Sequence, residues 1–242
     1  MRRIYIDCGG HKATTAKLIL KTHPNFEIHS FEANPEFSKY FENLDVTLHK
    51  KAVWINNEPI DFYTAENSQS GSLYKDKETG NIIKNKPLKV DCLDLSEWII
   101  SNFKKKDYII LKMNIEGAEY KILEKMMEDG SLSYINELFC QFHYHDIPSM
   151  TEKDHNEFVK KIHKKIKKFY HWRHDEPKRQ DKLRIIEKRL KIKNYATNIA
   201  YKIVTAFANS VYKKLTTYRI INRLRLLFLD KIREKLSEYI HF

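Results

Sequence analysis

The chain has 242 residues, enough for one α/β domain with an extension or for two small domains, with a sizeable core. Its net charge of +12 is unevenly placed: residues 151–242 carry 25 Lys/Arg against 10 Asp/Glu, and residues 1–150 carry 19 against 22, so two differently used regions are expected. No uninterrupted apolar stretch approaches the roughly 20 residues of a membrane helix, strand-like sequence begins by Ile4 with no room for a signal peptide, and Cys8, Cys92 and Cys140 are too scattered for zinc or disulfides; a cytoplasmic protein with buried free thiols is the expectation.

The first element is a short apolar strand, Arg3 to Cys8, followed at once by Gly9 and Gly10 and then by residues that can run as a helix from Ala13 to Lys21. Glycine lets the backbone take positive φ and lets a ligand come close, and the amides that open a helix are free to face the same spot. Asp7 at the strand end would repel phosphate and welcome an ammonium or hydroxyl, and the lysine and Ser/Thr pattern of a triphosphate-binding loop is missing from this turn. By itself such a turn is equally an ordinary strand-to-helix connection.

A second strand follows at Phe26 to Phe31, ending at Glu32. Asn34-Pro35 starts another helix, with Phe37, Tyr40 and Phe41 on one face. Val46-Thr47-Leu48 and Ala52-Val53-Trp54 give a third strand or two short pieces of one. This βαβαβ rhythm predicts a Rossmann-like, doubly wound, mostly parallel sheet with its ligand site at the carboxyl ends of the strands. Residues 55–90 break the rhythm and read as a β-hairpin insertion between Ile60–Tyr63 and Leu88–Val90, whose loop Ser68-Gln69-Ser70-Gly71-Ser72-Leu73 is either a surface connection or a lid. Asp94 can cap a helix through Leu95, Trp98, Ile99 and Phe103. Tyr108 to Met113 is nearly all apolar, as a central parallel strand should be, and leads through Asn114-Ile115-Glu116-Gly117 into a helix carrying Ile122, Leu123 and Met126. A further strand, Glu137 to Phe142, ends at His143. From Thr151 a helix follows with Phe158, Ile162, Ile166 and Phe169 on one face, although Phe169 to Arg173 can also be read as a strand.

Glu32, 25 residues past Asp7, stands where doubly wound proteins place an acid whose two oxygens grip the two hydroxyls of a ribose; taken alone, it is equally a helix-capping glutamate. At this point four blocks, in order, carry a family resemblance: Tyr5-Ile6-Asp7-Cys8-Gly9-Gly10, Ser30-Phe31-Glu32-Ala33-Asn34-Pro35, Val90-Asp91-Cys92-Leu93-Asp94-Leu95, and Leu111-Lys112-Met113-Asn114-Ile115-Glu116-Gly117-Ala118-Glu119-Tyr120. The chain resembles the FkbM-type methyltransferases, a branch of the class I S-adenosylmethionine-dependent enzymes, over about residues 3–145. The resemblance implies S-adenosyl-L-methionine as cofactor, with Asp7, Gly9 and Gly10 along its methionine part, Glu32 on the ribose, and Ala52 and Val53 at the adenine edge. It also implies O-methylation of a hydroxyl on a sugar or related small molecule.

Two positions depart from that family. Ala13 replaces a third glycine, and Asn114 stands where aspartate is common; an amide can orient a ligand but cannot act as a base. Methyl transfer therefore looks to Glu116 or His143 for a base, with Asn114 orienting. The competing reading is a catalytically inactive protein of the same fold that binds or scaffolds through its basic tail. For Glu116 and His143 the bland alternatives are complementing the charge of a helix N-terminus and a satisfied strand-end imidazole. Glu119 is expected to be structural or solvated. No metal is expected, because the spacing of Glu116, His143 and His145 is weak evidence for one.

The methyltransferase domain is expected to span 1–177, with 178–242 as a basic extension of amphipathic helices. That extension packs on the domain or a second copy, lies peripherally on an anionic membrane surface, or, without any recognisable motif for it, binds nucleic acid.

Overall fold

The computed structural model describes residues 1–66, 70–166 and 168–172. The expected helices of 178–242, the boundary at 177 and the Ser68-Gln69 part of the insertion loop lie outside the described residues.

Alternation of side chains along strands and the 3.6-residue repeat of helices account for the elements seen. They are β1 (Arg3–Cys8), α1 (Thr14–Thr22), β2 (Glu27–Phe31), β3 (Thr47–His49), β4 (Ala52–Trp54), β5 (Ile60–Phe62), β6 (Leu88–Val90), β7 (Cys92–Asp94), α2 (Leu95–Asn102), β8 (Tyr108–Met113), α3 (Glu119–Glu128), β9 (Ile135–Gln141), α4 (Glu152–Lys165) and β10 (Phe169–Trp172). Among the described residues, six strands build one sheet in the order β10-β9-β8-β1-β2-β3, and its pairs are parallel. The chain winds outward from β1 through β2 and β3, then returns to the other side of β1 at β8. The crevice at the carboxyl ends of β1 and β8 is thus the topological switch point, where ligands of doubly wound sheets bind.

One face of this sheet is apolar by alternation: Ile4, Ile6 and Cys8 of β1, Ile109, Leu111 and Met113 of β8, and Leu138 and Cys140 of β9 are buried together. Leu95 and Ile99 of α2, Ile122, Leu123 and Met126 of α3, and Val159 and Ile162 of α4 join the same core. Asp94 caps α2 by accepting from the amides of Ser96 and Glu97, as its position predicts. Thr151 and Asp154 form a reciprocal capping box at the start of α4.

Three local expectations need correction. The segment after Asn34 is a seven-residue 3₁₀ helix, Pro35–Phe41, and only Phe37 and Phe41 of its aromatics are buried. Asn34 caps it, its side chain accepting from Glu36 N, and Pro35 opens it. The two short pieces around residue 50 belong to different sheets: β3 extends the main sheet beside β2, whereas β4 pairs with β7 in a two-stranded parallel sheet. Phe169 does not ride on the helix before it; α4 ends at Lys165, Ile166 turns extended, and Phe169 begins β10 beside β9. The hairpin insertion is present, with β5 and β6 antiparallel and further bridges at Tyr63–Ser72 and Ala65–Ile82.

The turn after β1 is tightly constrained. Gly9 has φ +83°, and a Cβ there would lie 2.1 Å from the backbone oxygen of Asn114, so the β1 and β8 turns touch backbone to backbone. Ala13, in place of a third glycine, is fully buried and held at φ 57°, a left-handed conformation that costs an L-residue roughly 1–2 kcal/mol. In urea unfolding, Gly9→Ala should therefore lose about 1–3 kcal/mol, while Ala13→Gly should gain up to about 1 kcal/mol. A stability loss for Ala13→Gly would show that the left-handed turn is not a source of strain.

Candidate functional site

The row of side chains that crosses the sheet just below its carboxyl edge is polar. In register, Ser30 of β2 stands beside Asp7 of β1, and Asp7 beside Lys112 of β8. Asp7 is fully buried, and the Lys112 ammonium lies 2.8 Å from its Oδ1. Lys112 Nζ also donates to the Gly9 carbonyl at 2.9 Å. The ammonium that the acidic turn invites is supplied by the chain itself, so Asp7 braces the turn from beneath through Lys112.

The amides of the first turn are likewise taken. Gly9 and Gly10 both donate to the Phe31 carbonyl at 3.0 Å, and His11 N donates to Glu32 Oε2 at 2.6 Å. The other oxygen of Glu32 accepts from Asn34 N at 2.8 Å. Burial raises the Glu32 carboxyl above its usual range, and these two amide bonds and Lys112 oppose that rise. With one amide on each oxygen, the carboxylate keeps lone pairs for two further donors. Glu32 thus ties two loop amides and still offers a pair of open acceptors, while the cap of the following 3₁₀ helix is Asn34.

The turn after β8 holds the second cluster. Asn114 N donates to the Cys8 carbonyl at 3.1 Å, and Asn114 Oδ1 is buried with no hydrogen-bond partner among the described residues. Glu116 stands at φ 56° and Gly117 at φ 112°. This strained turn is held by Glu119, whose fully buried carboxylate accepts from Ile115 N and Gly117 N, both at 2.8 Å. Glu119 Oε1 also meets His143 Nδ1 at 3.0 Å. His143 Nε2 lies 3.5 Å from Glu116 Oε1 and 3.3 Å from Gln141 Nε2. From the insertion, Lys77 places its ammonium 3.1 Å from Glu116 Oε2, and Ser72 Oγ donates to the Glu116 carbonyl at 2.7 Å.

The fold therefore gathers Asp7, Gly9, Gly10, Glu32 and Asn114 at the switch point, and Glu116 with His143 next to it. Ala52 and Val53 lie on β4, outside the main sheet: Ala52 packs with Phe62, Val90 and Cys92, and Val53 joins the main core beneath. Four residues carry more than the sequence indicated. Glu119 is not solvated but central to the turn. Lys112 was signalled only by being a cation inside an apolar strand. Lys77 sits in the insertion with no local signal, and Asp146, rather than His145, completes a trio with Glu116 and His143 whose ligand atoms lie within 4.8 Å of one another.

Among the described residues, no helix is long and apolar enough to cross a membrane. No curated protein and no solved structure matches the sequence. A family match is found for the methyltransferase FkbM domain over residues 7–171, from the next-to-last residue of β1 to the third residue of β10, covering all but the first two residues of the four resembling blocks. Because that match takes in the whole crevice and more than half of the chain, the chain belongs to the FkbM methyltransferase family.

Proposed function

We propose that this methyltransferase uses S-adenosyl-L-methionine to methylate a hydroxyl oxygen of a sugar or related small molecule. The observation that carries the reading is the pairing, at the switch point, of an orphaned buried acceptor, Asn114 Oδ1, with the half-satisfied carboxylate of Glu32. Both are acceptors, and the groups of this cofactor that need holding, its ammonium and ribose hydroxyls, are donors. The residues present therefore fit the group. When bound, it supplies a methyl carbon made electrophilic by a sulfonium.

The protein's part is to align the acceptor oxygen and take its proton. The proton acceptor assigned here is Glu116. His143 is poorly suited to that role at neutral pH: burial lowers its pKa, but Glu119, Glu116, the hydrogen bond to Glu119 and Asp146 together outweigh that effect and raise it to about 9. It stays an imidazolium that fixes Glu116 and Glu119. Asn114 orients without exchanging a proton, and its amide leaves the task of base to the neighbouring carboxylate. A carboxylate held beside the crevice in a left-handed turn supports the enzyme over an inactive scaffold.

Calorimetry tests the cofactor assignment. Wild-type protein should bind S-adenosylmethionine and S-adenosylhomocysteine, and Glu32→Gln should weaken both about tenfold or more, the size of lost hydrogen bonds to a charged group. Unchanged affinity would remove Glu32 from the site, and no heat with either compound in folded protein would sink the enzyme reading.

A pH series tests the charge state of His143. Its folded pKa of about 9 lies above the unfolded value of 6.5, so its stabilisation is complete below pH 6.5 and is lost as the pH rises through 9. At 1.36 kcal/mol per unit this is about 3 kcal/mol. Chemical denaturation of wild type should show a decline across that window that His143→Gln lacks; parallel profiles would mean that the imidazole is neutral in the fold.

A further inference from the structure

Glu116, His143 and Asp146 offer the oxygen, nitrogen, oxygen ligand set of a divalent cation site. Their ligand atoms lie within 4.8 Å of one another. Behind His143, Glu119 takes Nδ1 at 3.0 Å, the outer carboxylate that commonly orients a metal-binding imidazole. Asp146 is only 4% exposed, and its Oδ1 is buried without a hydrogen-bond partner among the described residues.

The cation found there is an amino acid. Lys77 is 2% exposed, and its Nζ lies 3.1 Å from Glu116 Oε2 and 3.6 Å from Asp146 Oδ2. The same nitrogen donates to Thr79 Oγ1 at 2.8 Å and to the Thr79 carbonyl at 3.2 Å. The three protons of an ammonium are thus directed at Thr79 and at the acids. The segment that carries Lys77 is tied to the cluster on both sides: the Ser72 hydroxyl donates to the Glu116 carbonyl, and Glu78 N donates to the Asp146 carbonyl at 3.2 Å. Tyr74, on the same segment, comes within 3.2 Å of where a Cβ on Gly117 would stand. A metal ion bound by these oxygens at about 2.0–2.2 Å would leave no room for the ammonium, so only one of the two cations can be present.

We propose that the Lys77 ammonium is the resident cation of this ligand set, a tethered replacement for a divalent ion, and that the insertion delivers it so the acceptor side works without metal. The functional half of this statement rests on the methyltransferase reading above; the binding half does not. Removal of Lys77 leaves a half-buried Glu116 and a buried Asp146 with His143 as their remaining cationic neighbour among the described residues, which strongly favours uptake of another cation. A His and two carboxylates suit Mn²⁺.

The full chain is titrated with MnCl₂, and free Mn²⁺ is followed by electron paramagnetic resonance. Wild type should leave the signal of free Mn²⁺ undiminished. Lys77→Ala should take up one ion per chain, and Lys77→Ala with Glu116→Gln should lose most of that uptake. Lys77→Met, which keeps the buried stem, serves if the alanine variant does not fold. Stoichiometric binding by wild type that Glu116→Gln abolishes would overturn the proposal, as would a folded Lys77 variant that takes up no Mn²⁺. Calorimetry with S-adenosylhomocysteine on the same samples reads the cofactor site separately, so failure there leaves the Mn²⁺ result standing.

Discussion

The carboxylate of Glu119, cut off from water, holds the functional end of this sheet. A buried charge is costly unless it is hydrogen-bonded and paired, and here two amides of the preceding turn and His143 do both. That arrangement makes the left-handed step at Glu116 tolerable, because the turn repays its strain with hydrogen bonds to a charged group, each worth about 1.5–3 kcal/mol. It also fixes the end of β9 to the end of β8, since His143 can reach Glu119 only if the two strands keep their register. The position of Glu116 toward the crevice follows from both.

Glu32 does the same on the other side of the switch point. It too accepts one amide on each oxygen, from His11 and Asn34, and so ties the turn after β1 to the end of β2. The crevice is framed by two glutamates that each organise a turn, and the two turns touch where Gly9 meets the Asn114 carbonyl. The difference lies in what remains. Glu119 has three partners in the protein and is closed to solvent, whereas Glu32 has two and retains open lone pairs. Structure and binding are divided between two chemically equal groups by how many partners each already has.

Much of this was legible in the sequence. The apolar runs of β1 and β8, the acid at the end of β2, the capping residue Asp94, the helix start at Thr151 and the glycine pair are local signals, and each appears where local rules put it. What could not be read depends on register and on long-range return of the chain. Lys112 neutralises Asp7 because parallel pairing sets them side by side across a separation of more than a hundred residues, and no local pattern encodes that. Lys77 reaches Glu116 from an insertion whose course is fixed by contacts rather than by periodicity. His145 and Asp146 are adjacent in sequence, yet the short 3₁₀ turn from Tyr144 to Asp146 presents the acid to the cluster.

The balance of formal charge in the second cluster bears on how the proposed reaction would turn over. Glu116, Glu119 and Asp146 carry three negative charges, Lys77 supplies one positive charge, and His143, held protonated at neutral pH, supplies another. One negative charge is left over beside the crevice, in surroundings where water screens it poorly. A sulfonium donor is positively charged before transfer and its thioether product is neutral, so this excess favours the donor over the product. The same excess is why the cation at Lys77 matters. Without it the surplus would be two, and the acids would draw in a metal ion, taking up the Glu116 carboxylate assigned to the acceptor hydroxyl.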